Sequence, residues 1–181
     1  MVNLFDVNYS GDLKKDYNHY LCCLNVRHIN CPKCRAKGDF TKHAYYDRNI
    51  IVYQDGVIKE DKLRILRLRC QSCKTTHALL PDAIIPYHIY TANVILEALK
   101  DKYNLRKIKD ICKKYAISFQ LLYAWIRRFI QHRPLCEFIF NKGQLPKLKI
   151  INGILGYPLI VFLETFFKEH SIYFMQFISS L

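Results

Sequence analysis

An α+β fold is predicted for this chain, and three observations predict it. Two Cys-x-x-Cys pairs, Cys31/Cys34 and Cys70/Cys73, bracket segments in which apolar and polar residues alternate. Two short amphipathic helical patterns meet at Ala116-Ile117-Ser118. After Pro158 the sequence is apolar nearly all round. Together they describe a small N-terminal β zinc ribbon, then a three-helix helix-turn-helix unit, then an apolar C-terminal helical tail. The expected boundaries are a lead-in over 1–27, the ribbon over 28–80, a linker over 81–90, the helical unit over 91–133 and the C-terminal helical segment over 134–181.

In chain order, Tyr20-Leu-Cys-Cys-Leu-Asn-Val reads as a short strand leading into the first cysteine pair. Phe40 to Tyr46 alternates, and Asp55-Gly56 after Ile50-Ile-Val-Tyr is a hairpin turn signal. Leu63 to Cys70 alternates as well, but its phase slips between Ile65 and Leu66, which predicts a bulge or sharp twist. Pro81 and Pro86 make 76–90 read as a connection with little helix. Thr91 is placed to cap a helix from Ala92 to about Lys102, with Val94, Ile95, Ala98 and Leu99 inward. Asn104 is the expected cap of the next helix, whose buried face is Leu105, Ile108, Ile111, Cys112 and Tyr115. Ser118 caps a third helix with Leu122, Trp125, Ile126 and Phe129 inward, and Pro134 is expected to end it.

The two Cys-x-x-Cys pairs are the strongest chemical signal. Each gives two sulfurs from one tight turn, and two such knuckles complete the tetrahedral four-thiolate shell that structural zinc favours. Cys31, Cys34, Cys70 and Cys73 are therefore expected to hold one structural Zn²⁺. The 35-residue spacer is long for the motif, and the hairpin at Asp55-Gly56 accounts for the length. A redox Cys-x-x-Cys sits at a helix start near a βαβ pattern, which this sequence lacks. Cys22, Cys23, Cys112 and Cys136 are read as buried apolar residues, and His28, His43 and His77 are left outside the shell.

Charge points to the partner. The chain carries +13 at neutral pH, with 28 Lys and Arg against 15 Asp and Glu. Between Leu99 and Arg133 stand ten Lys and Arg against Asp101 and Asp110, whereas Ile151–Leu181 holds one Lys against two Glu. The positive charge gathers on the helix-turn-helix pattern, so double-stranded DNA is the expected partner. With Leu122, Trp125 and Phe129 inward, the third helix turns Ser118, Phe119, Gln120, Tyr123 and Arg127 outward. Gln reads adenine and Arg reads guanine in bidentate fashion. Lys107, Lys109, Lys113, Lys114 and Arg128 are assigned to phosphates, which set affinity rather than sequence. Arg64, Arg67, Arg69 and Lys74 on the ribbon either grip backbone too or form its solvent face.

No basic leader precedes an apolar run, and the run near Ile154–Leu163 is too short to span a bilayer, so a cytoplasmic location without a membrane partner is expected. The apolar tail must be covered, either by the three helices or by a second copy in a homodimer, or by a separate catalytic subunit. No phosphate-binding glycine loop, nucleophile elbow or useful pair of acids is present, so no catalytic residue and no enzyme activity are expected. An alternative reading makes the chain a protein-interaction adaptor that recruits a catalytic or transcription subunit.

Over roughly residues 28–133, CPKC, RLRCQSC, LLPDAIIPY and then the basic helix-turn-helix, in this order, resemble the N-terminal DNA-binding region of bacterial insertion-sequence transposases and their small accessory proteins. The resemblance implies zinc on Cys31, Cys34, Cys70 and Cys73, and DNA recognition by Ser118–Arg128. Full transposases of that kind hold two divalent metals with three carboxylates on a ribonuclease-H-like fold. After Arg133 the only acids are Glu137, Glu164 and Glu169. The resemblance therefore implies an accessory or regulatory protein without its own catalytic domain.

Overall fold

The fold is mixed α+β, with five helices and a four-stranded sheet among the described residues. The computed structural model describes residues 2–4, 12–81, 83–140, 146–156, 162, 165–166, 169–170 and 174–175. The chain divides into two compact units, Met1–Ile50 with Asp61–Asp82, and Ile51–Glu60 with Ala83–Leu181. The strands are β1 (Val2–Leu4), β2 (Phe40–Gln54), β3 (Val57–Cys70) and β4 (Thr76–Pro81), in the sheet order β1-β4-β3-β2. β1 runs parallel to β4, and β4 antiparallel to β3 with Leu68 opposite His77. Asp55 and Gly56, at φ +54° and +80°, turn β2 into β3 as their sequence predicts.

In the first unit, α1 (Leu13–Cys23) begins where the Asp12 carboxylate accepts the Lys14 and Lys15 amides at 3.1 and 3.0 Å. This corrects the strand expected over Tyr20–Val26: the segment is the end of α1 and a 3-10 turn at Val26–His28. Leu13 and Tyr17, one helical turn apart, bury the helix face that an alternating reading of 20–26 misses. Cys22 and Cys23 lie exposed at its last turn, not buried as expected. The expected loop at 76–81 is the strand β4. Pro81 is its last residue, and Leu79 and Leu80 are fully buried.

The phase slip in β3 has a specific cause. Leu63, Ile65, Leu66 and Leu68 are all buried. The Tyr17 hydroxyl accepts the Leu66 amide at 3.0 Å and donates to the Leu79 carbonyl at 2.9 Å. It stands where the rung beyond Arg67–Ala78 would fall. One hydroxyl from α1 thus replaces a ladder hydrogen bond and satisfies both strand groups. Burial pushes the Tyr17 phenol up to about 12 from its ordinary 10.0. The neutral form is the one that fits, so its stabilisation is complete below pH 10 and is lost as the pH climbs towards 12. Tyr17→Phe leaves a buried donor and acceptor unpaired and is expected to cost about 2 kcal/mol at neutral pH. Urea denaturation checks this, and the variant should also lose less stability than wild type between pH 10 and 12.

In the second unit, α2 (Ala92–Tyr103), α3 (Ile108–Tyr115), α4 (Phe119–Ile139) and α5 (Lys147–Gly156) surround Val94, Ile95, Leu99, Ile111, Tyr115, Leu122, Trp125, Phe129, Ile150 and Ile154. Thr91 occupies the cap position of α2, without a side-chain hydrogen bond to the helix. Asn104 ends α2 instead of starting α3. The amides of Leu105 and Arg106 return to the carbonyls of Lys102 and Asp101 at 3.2 Å each, a Schellman closure. Leu105 supplies its left-handed residue at φ +62° and is 89 % exposed, so it does not belong to the buried face of α3.

Pro134 does not end α4, which continues to Ile139. The proline is on the exposed side, where a missing backbone bond bends a helix at least cost. Cys136, Leu135 and Ile139 beyond it keep the last turns packed on the core. The described tail residues Phe162, Phe166, Phe174 and Met175 are buried in that same core. The His132 ring stacks on Phe166 at 5.3 Å and meets Phe174 edge-on. The remainder of the apolar tail lies outside the described residues. Among the described residues no helix is long and apolar enough to cross a membrane.

Candidate metal centre and nucleic-acid interface

The two cysteine knuckles fold alike for the same local reason. In each, the amide of the first cysteine bonds a carbonyl five residues on: Cys31 to Ala36 at 2.9 Å, and Cys70 to Thr75 at 3.0 Å. In each, the residue after the second cysteine is left-handed, Arg35 at φ +63° and Lys74 at φ +59°. Gly38, at φ +68°, lets the chain pass the Arg27 carbonyl, which a Cβ there would meet at 2.8 Å. The second knuckle is tied to the start of β2 by the Gln71 amide on the Asp39 carbonyl at 2.8 Å and by Ser72 on the Asp39 carboxylate.

These turns bring the four thiols together. The Sγ atoms of Cys31, Cys34, Cys70 and Cys73 all lie within 4.8 Å of one another. Cys31 and Cys73 are 3.7 Å apart, and Cys34 and Cys70 3.6 Å. A tetrahedron with metal–sulfur bonds of about 2.3 Å has edges of about 3.8 Å, so the set has the size and donor chemistry to hold a metal ion. Without a cation, so many sulfurs cannot all ionise. Hydrogen bonds from Thr75 bring the Cys73 thiol down to about 6. For Cys34 the Ala36 amide pulls down, but burial and the neighbouring thiols win and push it up to about 12.

His77, left outside the shell by its sequence, stands beside the centre with Nε2 3.4 Å from Cys31 Sγ. Burial lowers its pKa, and its ring meets the edge of Phe40. Its place on β4, in phase with the buried Leu79, was the available signal.

In the second unit, α3 passes to α4 through three residues. Ala116 is left-handed at φ +51°, Ile117 is buried and its amide closes on the Cys112 carbonyl at 3.0 Å. The Ser118 hydroxyl accepts the Leu121 amide at 3.1 Å, so this side chain is engaged as the α4 cap. Phe119, Gln120, Tyr123 and Arg127 are exposed on α4, and Lys107, Lys109 and Lys113 on and before α3. None of these four cations has a carboxylate at ion-pair distance among the described residues. Lys114 and Arg128 differ. Lys114 bonds the buried Asp101 carboxylate at 2.8 Å, and Arg128 Nη1 bonds His88 Nε2 at 2.9 Å. Ile130, 46 % exposed, extends the apolar part of the α4 face beyond the residues the sequence singled out.

In the first unit, Arg64, Arg67, Arg69 and Lys74 are exposed. Arg64 lies over the Tyr45 ring at 4.8 Å, and Arg67 bonds the Thr76 hydroxyl at 3.2 Å.

Among known proteins, no curated protein and no solved structure matches the chain. Residues 31–116, from the first metal-site cysteine to the turn before α4, match the model of a family described as a domain of unknown function, DUF6431.

Proposed function

We propose that this chain is a zinc-stabilised, sequence-specific DNA-binding protein, an accessory or regulatory relative of transposases. One observation carries the reading. An exposed row of Phe119, Gln120, Tyr123 and Arg127 stands on the helix that follows a three-residue turn, with Lys107, Lys109 and Lys113 nearby and, among the described residues, without a carboxylate partner. This is what a helix-turn-helix presents to a major groove: planar side chains for base edges and cations for phosphates. Zinc suits four thiolates at these separations. With every place in the shell taken by sulfur its role is structural.

Selection from random-sequence duplexes on the zinc-loaded protein tests the reading, with metal content measured on the same sample. An enriched motif is expected, with affinity falling about 10²- to 10³-fold between 50 and 200 mM salt for some five phosphate contacts. Replacing Gln120 and Arg127 by Ala should cost about 1–3 kcal/mol each at the cognate site and little elsewhere. Recovery of no motif would sink sequence specificity.

A second reading, an adaptor that recruits another protein, draws on the half-exposed Phe119, Tyr123 and Ile130 on the same face. Under it the double variant would still capture its protein partner, and zinc-loaded protein would show no duplex preference.

A further inference from the structure

Residues 86–90, just before α2, hold an arrangement that the face of α4 does not use. Tyr87 is 84 % exposed and its backbone is left-handed, at φ +66°. A bulky L-residue there costs about 1–2 kcal/mol. The segment around it is held by hydrogen bonds. The His88 amide closes on the Ile85 carbonyl at 3.1 Å, the Ile51 amide takes the Ile89 carbonyl at 2.7 Å, and the Thr91 amide takes the Ile51 carbonyl at 3.0 Å. The backbone that carries the ring is thus held, and the ring itself stands exposed to solvent.

Arg128 lines the same hollow as Tyr87. A guanidinium has no acceptor, so in the 2.9 Å contact His88 Nε2 carries the lone pair and Arg128 donates. The imidazole aims the cation, and the other guanidinium donors have no protein acceptor among the described residues. Tyr87, His88, Ile89, Tyr90, Leu121 and Arg128 line a hollow of about 500 Å³, in the range that takes small organic groups. Among its described lining residues Arg128 is the one fixed cation and none is a carboxylate. The Tyr90 ring meets Trp125 edge-on at 5.1 Å and its hydroxyl donates to the Ala116 carbonyl at 3.4 Å. The hollow therefore lies beside the turn that leads into α4.

We propose that this hollow takes one unpaired nucleotide of a DNA strand, its base against the Tyr87 ring and its phosphate on Arg128. The inference rests on the duplex-binding reading and adds a second contact to it. An exposed aromatic face stacks any base, and a fixed guanidinium is the side chain best matched to phosphate oxygens.

The test uses the full, zinc-loaded protein and fluorescence anisotropy. Two DNAs of the same sequence are compared, one blunt and one with a short single-stranded extension. Wild type is expected to favour the extended DNA by about 5- to 100-fold. Tyr87→Ala should abolish that preference while blunt-duplex affinity stays within about twofold, and Tyr87→Phe should keep it, because stacking needs only the ring. 2-Aminopurine at the unpaired position should be quenched by wild type and not by Tyr87→Ala. Equal affinity of wild type for both DNAs overturns the inference and leaves duplex binding standing. Tyr87-dependent binding of the single strand with no binding of blunt duplex supports the inference and removes the duplex reading. Tyr87-dependent binding of free adenosine monophosphate without any preference for the extended DNA overturns the assignment to a strand.

Discussion

Treating the zinc-loaded protein with a strong chelator is expected to melt both knuckles and most of the first unit with them. The reason lies in how little else holds the knuckles. Cys31 and Cys70 are buried, but Cys34 is exposed and Cys73 half-exposed, so burial does not hold the second cysteine of either turn. Arg35 and Lys74 sit in left-handed backbone that neither residue favours. Four sulfurs within 4.8 Å of one another cannot all ionise without a cation among them. A divalent cation reverses that balance by displacing the protons. Structural zinc contributes on the order of 10–16 kcal/mol of apparent folding free energy near neutral pH, as much as the whole stability of an ordinary domain. Far-ultraviolet circular dichroism and a thermal scan should show a lost transition that returns on adding zinc. Cys34→Ser should mimic the chelator, and Cys22→Ser with Cys23→Ser should not. Because thiolates bind and thiols do not, acidification should release the ion. A first unit that keeps its melting temperature in chelator would refute a structural metal.

Features set by short-range chemistry were legible in the sequence. Asp55-Gly56 announces its turn because few other pairs accept two positive φ values. Ser118 announces α4 because its hydroxyl satisfies the Leu121 amide. Both knuckles could be placed from spacing alone, since a Cys-x-x-Cys turn chelates through its own backbone geometry. The misread elements depended on distant partners. The segment 76–81 is a strand only because β3 and β1 flank it. The slip at Ile65-Leu66 was visible, but its cause is a tyrosine 49 residues away. Asn104 has the side chain of an N-cap, and no local pattern says that the Leu105 and Arg106 amides turn back onto α2. Lys114 and Arg128 look like free cations in the sequence, and only the fold gives them Asp101 and His88.

Asp101→Asn is expected to be the most damaging single change in the second unit outside its apolar core, at about 3 kcal/mol. Asp101 is 6 % exposed. Its carboxylate accepts from Lys114 Nζ at 2.8 Å, the Tyr115 hydroxyl at 3.0 Å and Arg106 Nε at 3.2 Å. One side chain of α2 therefore holds both the turn after it and the last turn of α3. α3 needs that hold. It has eight residues, too few to be stable alone, and only Ile111 and Tyr115 are buried. Burial works against the Lys114 charge, but the Asp101 hydrogen bond outweighs it and raises the ammonium above its ordinary range. Burial, with Asp101 beside it, likewise raises the Tyr115 phenol. Both groups are held in their protonated forms, so their contribution is full below about pH 10 and is lost as the pH rises further. The asparagine variant should show a shallower alkaline loss than wild type. A double-mutant cycle with Lys114→Gln should return a coupling of about 1 kcal/mol or more, because the two groups are in direct contact. Since α3 sets where α4 begins, the same variant should weaken duplex binding at low salt even though it loses one negative charge. An Asp101→Asn protein as stable as wild type in urea would mean that apolar packing alone positions α3.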